Sequence, residues 1–198
     1  IRDGDVNGPA PAGGVKNVSV GATDGSSVPD SLWWAGMARE TTHLTAAGSS
    51  DYIDTTITTP WASTPTATQG SITARHLGVS AARTATAVTG GADRVTRTRT
   101  SYDQTTGLPA AVNDDGDLAT ASDDRCTRTS YVSNTAINLI GAPARTTTTA
   151  GDCASTPSLP ADAISDTRSY YDGSADLSAP PTRGLVTRTD VVNAYTGA

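Results

Sequence analysis

Residues that commonly perform catalysis are scarce in this sequence of 198 residues, and those present stand outside catalytic motifs. His43 and His76 are the only histidines, and neither has a nucleophile motif such as Gly-x-Ser-x-Gly beside it. Glycoside hydrolysis needs two carboxylates about 5 to 10 Å apart. Glu40 is the only glutamate, however, and nothing singles out a pair among the aspartates. We therefore predict that the chain is not an enzyme and that both histidines are structural.

Two acidic clusters have the composition of calcium ligands. The first, Asp-Gly-Asp-Val-Asn-Gly at 3–8, matches the start of an EF-hand loop, but Gly14 stands where the bidentate glutamate belongs. The second contains Asp114, Asp115 and Asp117, and it lacks a matching ligand frame, so we interpret it as a hairpin tip or a solvated loop. Because no glycine-rich phosphate loop follows a strand either, we predict no cofactor. Calcium binding by the second cluster stays open.

The two cysteines, Cys126 and Cys153, are 27 positions apart. No Cys-x-x-Cys motif or Cys/His cluster accompanies them, which argues against a zinc site. An even number of cysteines in a threonine- and glycine-rich chain of extracellular character favours a disulfide bond over two unrelated thiols. We predict that the two cysteines are bridged, and closing this loop would stabilise the fold by an amount on the order of 3 kcal/mol.

Threonine and arginine alternate in the segment 96–100, as they could in a nucleic-acid binder or on the surface of a strand. Arginine outnumbers lysine thirteen to one, yet acidic residues outnumber basic ones by twenty to fourteen, and the net charge is −6. Nucleic-acid binding depends on a net basic face that neutralises phosphates. In a strand, Arg97 and Arg99 point to the same face. We predict that these arginines pair with nearby acids and that the chain does not bind nucleic acid.

The segment 31–44 holds an aromatic pair, Trp33 and Trp34. In a strand the two rings would face opposite sides, so at most one would join the core of a sheet that is covered on one face. The other ring is then a candidate for stacking on a sugar or for docking a partner. The alternative is that neighbouring strands cover both rings.

The elements that must position these residues are strands. Leucine, isoleucine and valine total 29 residues and phenylalanine is absent, whereas threonine contributes 34. Threonine is β-branched and favours extended backbone, and 19 glycines and 11 prolines supply turns. We therefore predict an all-β fold with almost no helix. No stretch approaches the roughly 18 apolar residues that a membrane-spanning helix needs, so we predict no membrane span.

A short motif, Thr-Arg-Thr/Ser-x-Tyr-Asp or a near relative, occurs three times, and a glycine with an apolar residue follows each copy after a variable gap. Recurrence of a fixed motif indicates units that stack on their neighbours. Each unit has the pattern of a β-hairpin, in which the aspartate accepts backbone amides and the glycine supplies a positive φ. The structural positions of the motif are Tyr102, Asp103, Gly107, Tyr131, Tyr171, Asp172 and Gly184.

These hairpins resemble the YD repeats of the RHS family, which occurs in bacterial polymorphic toxins, in the shell subunits of toxin complexes and in teneurins. The segments YDQTTGLPAAVNDDGDLATASDDRCTRTSYVSN and TRSYYDG are similar to the large secreted RHS proteins of actinobacteria. The resemblance covers residues 94–198, whereas residues 1–93 are a β-rich segment with weaker repeat character, continuous with the hairpins. It implies antiparallel hairpin repeats forming part of a large wound sheet or hollow shell, with tyrosines stacked in ladders.

From this resemblance we expect a non-catalytic structural segment of a secreted or cell-surface shell protein that encapsulates or presents a toxin or another effector. The aspartate-rich core motif that precedes the toxin in that family is not visible here. The chain begins at Ile1, and we expect it to be a piece of a longer protein. Its partners would be the remainder of its parent chain, or copies of itself, through the sheet edges. The alternatives are an extracellular adhesion or carbohydrate-binding module with a cell-surface or glycan target, and an enzyme with carboxylates converging in a cleft.

Overall fold

The computed structural model of the chain describes residues 18–195. Within that range the strands pair antiparallel, and helical structure is limited to three single turns of 3-10 helix. The prediction of an all-β antiparallel fold with almost no helix is therefore confirmed. In the same range no helix is long and apolar enough to cross a membrane. The acidic cluster at 3–8 lies outside the described residues.

The described range contains thirteen strands, of which β4 and β7–β12 are nine residues or longer. The strands are β1 (Ser19–Gly21), β2 (Ser27–Pro29), β3 (Glu40–Leu44), β4 (Tyr52–Ala62), β5 (Ala67–Gln69), β6 (Ile72–Ala74), β7 (Leu77–Thr86), β8 (Arg94–Tyr102), β9 (Pro109–Asp117), β10 (Arg125–Asn134), β11 (Leu139–Ala150), β12 (Ala163–Tyr171) and β13 (Val186–Val191). The 3-10 turns are Leu32–Trp34, Ala121–Asp123 and Thr135–Ile137.

Nine of these strands form one open sheet in the order β13-β12-β11-β10-β9-β8-β7-β4-β3, and β1-β2 and β5-β6 form separate pairs. From β8 to β13 the order in the sheet is the order in the sequence, so each strand lies beside the strand that precedes it. A chain of successive hairpins produces this meander.

The chain divides into two compact units. In the described range the first unit comprises residues 18–62 and 77–96, and the second comprises residues 63–76 and 97–195. The first unit contains β1–β4 and β7, and the second contains β5, β6 and β9–β13 with most of β8. The three tyrosine motifs found in the sequence all belong to the second unit.

Cross-strand register gives the strands β10 and β11 two different faces. Thr127 lies opposite Thr148 and Thr129 lies opposite Thr146, with their hydroxyl oxygens 3.0 Å and 3.4 Å apart. Alternate residues of the same strands point to the other face, which carries Cys126, Arg128 and Arg145. Because paired threonines satisfy each other's hydroxyls while their methyl groups pack, these strands form with little leucine or isoleucine.

Few apolar side chains are buried in the second unit. In the described part of this unit the buried apolar residues are Cys126, Ala142, Ala144, Tyr170, Tyr171 and Pro181. Several equally buried residues are polar, namely Ser63, Asn113, Asp115, Thr149 and Asp166. Because hydrophobic stabilisation scales with the apolar area removed from water, a core of this composition depends strongly on its disulfide and on its buried ion pairs.

Candidate functional site

The same tyrosine hydrogen bond occurs in two successive hairpins of the second unit. The Tyr131 hydroxyl donates to the carbonyl oxygen of Pro109 at 2.8 Å, and the Tyr171 hydroxyl donates to that of Pro143 at 2.9 Å. Each proline stands two residues after a glycine, near the start of the preceding strand. Each tyrosine therefore ties its own strand to the strand before it, through a contact that the repeated sequence specifies.

The third tyrosine of the motif, Tyr102, is the last residue of β8, and Tyr131 and Tyr171 belong to β10 and β12. The three tyrosines thus occupy alternate strands of the meander. The register shifts at Tyr131 and at Tyr171, and the stacking of the tyrosines in ladders, which the resemblance implies, stays a prediction.

Replacing Tyr131 or Tyr171 with phenylalanine is expected to lower the free energy of unfolding by about 0.5–1.5 kcal/mol each, because a hydrogen bond between neighbouring strands is lost. Tyr170→Phe is the control, since Tyr170 is as buried as Tyr171 and its hydroxyl makes no hydrogen bond among the described residues. Urea unfolding of the three variants measures the difference. Equal losses for all three would contradict the assigned role of the two hydroxyls.

The turn after Tyr102 is held by the carboxylate of Asp103. Its Oδ1 atom accepts hydrogen bonds from the backbone amides of Thr105 and Thr106, at 3.1 Å and 2.7 Å. These bonds, with that of the Thr106 hydroxyl, lower the pKa of Asp103. Gly107 closes the turn with a φ of 71°, where a Cβ atom would lie 2.5 Å from the His76 ring. Both the aspartate and the glycine therefore act in the turn as their residue types suggest.

Asp172 holds a longer turn in the same way. Its Oδ2 atom accepts the amides of Thr182 and Arg183 at 2.7 Å and 2.9 Å, and its Oδ1 atom accepts that of Leu185 at 3.0 Å. The Asp172 amide donates to the Leu185 carbonyl at 2.8 Å, and the equivalent bond in the first turn joins Asp103 to its leucine at 2.9 Å. Turns of different length thus share one hydrogen-bond pattern.

The hairpin that follows Tyr131 departs from this pattern, because Val132 stands where the other motifs have aspartate. Ser133 takes over part of the role, and its hydroxyl oxygen accepts the Gly141 amide at 3.0 Å. Gly141 keeps a positive φ of 78°, and a Cβ atom there would lie 2.5 Å from a methyl group of Leu108. The glycine position is therefore common to all three hairpins, and the aspartate position to two.

The amides around Asp172 lower its pKa to about 2. Asp172 should therefore stabilise the folded chain above its unfolded-state pKa of about 3.9, and this contribution should disappear as the pH falls through about 2. We expect the Asp172 carboxyl carbon to titrate with a pKa of about 2 by NMR. We also expect the stability of Asp172→Asn to fall less steeply than that of the native chain in acid. Identical acid profiles would contradict this assignment.

The alternating arginines of β8 hold a buried carboxylate. Arg99 donates to both oxygens of Asp115, from Nε at 2.9 Å and from Nη2 at 2.6 Å, and Arg97 contacts the same carboxylate. Asp115 is 4% exposed, and its hydrogen bonds with Arg99 and then Arg97 outweigh burial and lower its pKa. Both arginines therefore lie on one face of the strand and pair with an acid.

Three carboxylates that the sequence does not group come together at this place. Asp115, Asp124 and Asp152 each bring one oxygen within 4.8 Å of the others. Burial and the nearby charge of Asp115 raise the pKa of Asp124. Arg99 bridges Asp115 and Asp152, and Arg97 also contacts Asp115, so two guanidinium groups already compensate much of the negative charge.

The calcium candidates from the sequence are distributed differently. Asp114 Oδ1 accepts the Gly116 amide at 3.1 Å, and Asp117 Oδ1 accepts the Ala119 amide at 3.0 Å, so both carboxylates cap local turns. In the described structure the carboxylate cluster around Asp115 does not include them. The chain segment that holds all three is therefore not one ligand set.

A disulfide bond joins Cys126 in β10 to Cys153 in the segment after β11, as predicted. The bridged segment has further contacts. The Cys153 amide donates to Asn113 Oδ1 at 2.5 Å, and Arg128 Nη2 donates to the Cys153 carbonyl at 2.6 Å. The disulfide therefore anchors a loop on the charged face, beside the carboxylate cluster.

A second buried carboxylate, Asp166 of β12, forms another ionic centre. Arg145 donates to its two oxygens at 2.9 Å and 2.6 Å, the Tyr195 hydroxyl donates at 3.0 Å, and Arg168 lies 3.5 Å away. Asp166 is 1% exposed. The Arg145 hydrogen bonds outweigh burial and lower the pKa of Asp166. No local motif marks this centre, because Arg145 comes from β11 and Tyr195 from the segment after β13.

Trp33 and Trp34 lie in the 3-10 turn Leu32–Trp34, so the expectation that they alternate across a strand is wrong. Ser31 caps the turn by accepting the Trp33 amide at 3.3 Å, and Gly36 ends it with a φ of 86°. Serine at an N-cap and glycine after a helical turn are typical of this arrangement. Both rings are half-buried, and neither is presented as an open platform.

The histidines have structural contacts. His43 Nδ1 lies 2.8 Å from Asp54 Oδ1 on paired strands, and His76 Nε2 lies 3.1 Å from the Thr105 carbonyl. The most distinctive arrangements are thus the repeated hairpin bonds and the two buried carboxylates held by arginines. The chain matches no family model, and no curated protein or solved structure matches it either.

Proposed function

We propose that this chain is a non-catalytic structural segment of a secreted RHS/YD-repeat shell protein that encloses or presents a toxin or another effector. The observation that carries the proposal is the repeated tyrosine bond, from Tyr131 to Pro109 and from Tyr171 to Pro143. A contact that recurs from one hairpin to the next lets a sheet grow by addition of similar hairpins. We call such a continuous sheet of successive hairpins a wall, because it would enclose the effector.

The disulfide between Cys126 and Cys153 supports the secreted location within this proposal. Disulfides persist in oxidising compartments and are rare in the cytosol. The different faces of the sheet also suit a wall, since paired threonines cover one and ion pairs cover the other. Neither face needs a large apolar core beneath it.

The edge strand β13 is the place where such a wall would continue. Val192 donates its amide to the Asp166 carbonyl at 2.9 Å. Because amides alternate in direction along an antiparallel strand, those of Thr189 and Val191 point away from β12. We propose that a further strand, from the parent chain or from another copy, pairs with these amides.

A hydrolysis screen tests the non-catalytic part of the proposal. Purified chain is incubated with polysaccharide, peptide and nucleic acid, with and without calcium, and products are followed by mass spectrometry. We expect stable folding and no turnover. Turnover that disappears in Asp115→Asn or in Asp124→Asn would overturn the proposal, because these carboxylates would then serve a reaction. Asp190→Asn is the control, since Asp190 lies at the exposed edge of the sheet.

The alternative of an adhesion or carbohydrate-binding module was tied in the sequence to an exposed tryptophan. Trp33 and Trp34 are half-buried in a capped turn, so we do not propose sugar binding at these rings. A different part of the first unit has the chemistry for it.

A further inference from the structure

The first unit contains a polar cleft of about 470 Å³. This volume falls in the range of about 300–1,000 Å³ that is typical of small-molecule sites. The cleft lies over one face of β3, β4 and β7, beside the turn that joins β1 to β2. The polar side chains that matter for its chemistry are Asp24, Thr42, Tyr52, Thr55, Arg83 and Asp93.

Arg83 brings hydrogen-bond donors to this cleft. It lies opposite Ile57 in the pairing of β7 with β4, which sets the direction of its side chain. Among the described residues its guanidinium makes no hydrogen bond, and its ion pair with Asp24 is long, at 4.0 Å. The side chain is 34% exposed. Up to five N–H donors are therefore available to a ligand in place of water.

Two carboxylates supply acceptors in the same cleft. Asp24 is held by Ser26, whose amide and hydroxyl donate to Oδ1 at 3.0 Å and 2.5 Å. Asp93 accepts the hydroxyl of Tyr52. Asp24, Asp93 and Arg83 together give the lining a net charge of −1. A lining with this balance disfavours an anionic ligand.

We propose that this cleft binds a neutral oligosaccharide. Adjacent sugar hydroxyls both donate and accept, so they can bond at once to a carboxylate and to the fork of a guanidinium. The Tyr52 ring offers an apolar surface for the C–H face of a sugar. This site belongs to the first unit and does not rest on the proposed function of the hairpins.

Asp24 does not suit the role of the acid in glycoside hydrolysis. A glycosidase acid must carry a proton near neutral pH, which requires a raised pKa. The hydrogen bonds from Ser26 instead lower the pKa of Asp24, so this carboxylate is an acceptor. Its role is therefore to orient sugar hydroxyls.

The test titrates the ¹⁵N-labelled chain with cellohexaose, chitohexaose, maltohexaose and mannohexaose, and follows backbone amide shifts by NMR. We expect at least one sugar to bind, with the largest shifts at Thr42, Thr55 and Ala85, which line the cleft. Arg83→Ala and Asp93→Asn should each weaken binding by tenfold or more. Arg125→Ala is the matched control, because Arg125 is an exposed arginine of the second unit. The affinity of this variant for the sugar should equal that of the native chain.

Two results would overturn the proposal. One is the absence of binding by all four sugars at concentrations of roughly 5 mM, several times a Kd of 1 mM, which corresponds to a binding free energy of about −4 kcal/mol. The other is binding whose shifts fall outside the cleft, or whose affinity Arg83→Ala leaves unchanged. The shifts of the native chain need no variant, so a poorly folded variant cannot obscure the result. The unfolding temperatures of the variants are measured alongside.

Discussion

Replacing both Cys126 and Cys153 with alanine is expected to lower the free energy of unfolding by about 3–4 kcal/mol. The bond closes a loop whose ends are 27 positions apart, and its loss returns that conformational freedom to the unfolded chain. The second unit has few buried apolar side chains to compensate. Removing the buried Cys126 sulfur adds a small cavity cost. Thermal and urea unfolding measure the loss.

Reduction provides the control for this prediction. A reducing agent should destabilise the native chain to a similar extent and should leave the alanine variant unchanged. If the reduced native chain unfolded at the same urea concentration as the oxidised one, the disulfide would contribute little. The structural weight assigned to Cys126 and Cys153 would then be wrong.

Asp166→Asn is expected to lower the free energy of unfolding by about 2–3 kcal/mol. Breaking a buried ion pair by removing one partner costs about 3–5 kcal/mol. We expect a smaller loss here because the side chain of Arg145 is 38% exposed and stays partly solvated. The asparagine side chain has one acceptor oxygen, so it can accept only one of the two hydrogen bonds that Arg145 donates. Its NH2 group is a donor and cannot accept the hydrogen bond from the Tyr195 hydroxyl. Urea unfolding at neutral pH gives the value.

Asp190→Asn is the matched control, because Asp190 pairs with Arg188 at the surface, with both side chains about half exposed. Its loss should stay within about 0.5 kcal/mol. Acid adds a second test. The pKa of Asp166 is lowered in the folded state, so its contribution is present above about pH 4 and is lost as the pH falls through the folded value. Similar losses for both variants would contradict the role of Asp166.

Local sequence patterns predicted the strands and part of the charged face. The alternation around Arg97 and Arg99 has the two-residue period of a strand, and both side chains contact Asp115 as a shared face requires. The cysteine count predicted the disulfide. The turn glycines were predicted because positive φ favours glycine. These features depend on residues close in sequence, or on chemistry with few alternatives.

Other features depend on register, which the sequence does not state. Asp166 meets Arg145 because β11 and β12 pair in one particular alignment, with Thr147 opposite Asp166. A shift of one residue would send the carboxylate to the other face. The same holds for the carboxylate of Asp152, which reaches Asp115 through a loop anchored by the disulfide. The sugar cleft was missed because Asp24 comes from a turn outside the main sheet.

The local structure of the tryptophan pair differs from the expectation for another reason. The expectation that Trp33 and Trp34 face opposite sides of a sheet requires an extended backbone in this segment. The flanking Ser31 and Gly36 are a cap and a terminating glycine, and they indicate the short helical turn that forms. In this segment the capping residues, rather than the aromatic content, therefore indicate the local structure.

We propose that the hairpins form a continuous sheet whose edge strand β13 accepts a further strand, and that another copy supplies this strand when the purified chain is studied alone. The most direct test of this claim is amide hydrogen exchange combined with sedimentation of the purified chain over a range of concentrations. We expect association as concentration rises, with the amides of Thr189 and Val191 becoming protected. Thr189→Pro, which removes an outward N–H, should stay monomeric, and Thr189→Val, which keeps it, should associate like the native chain. A native chain that stays monomeric, with both amides exchanging freely at every concentration, would contradict the claim.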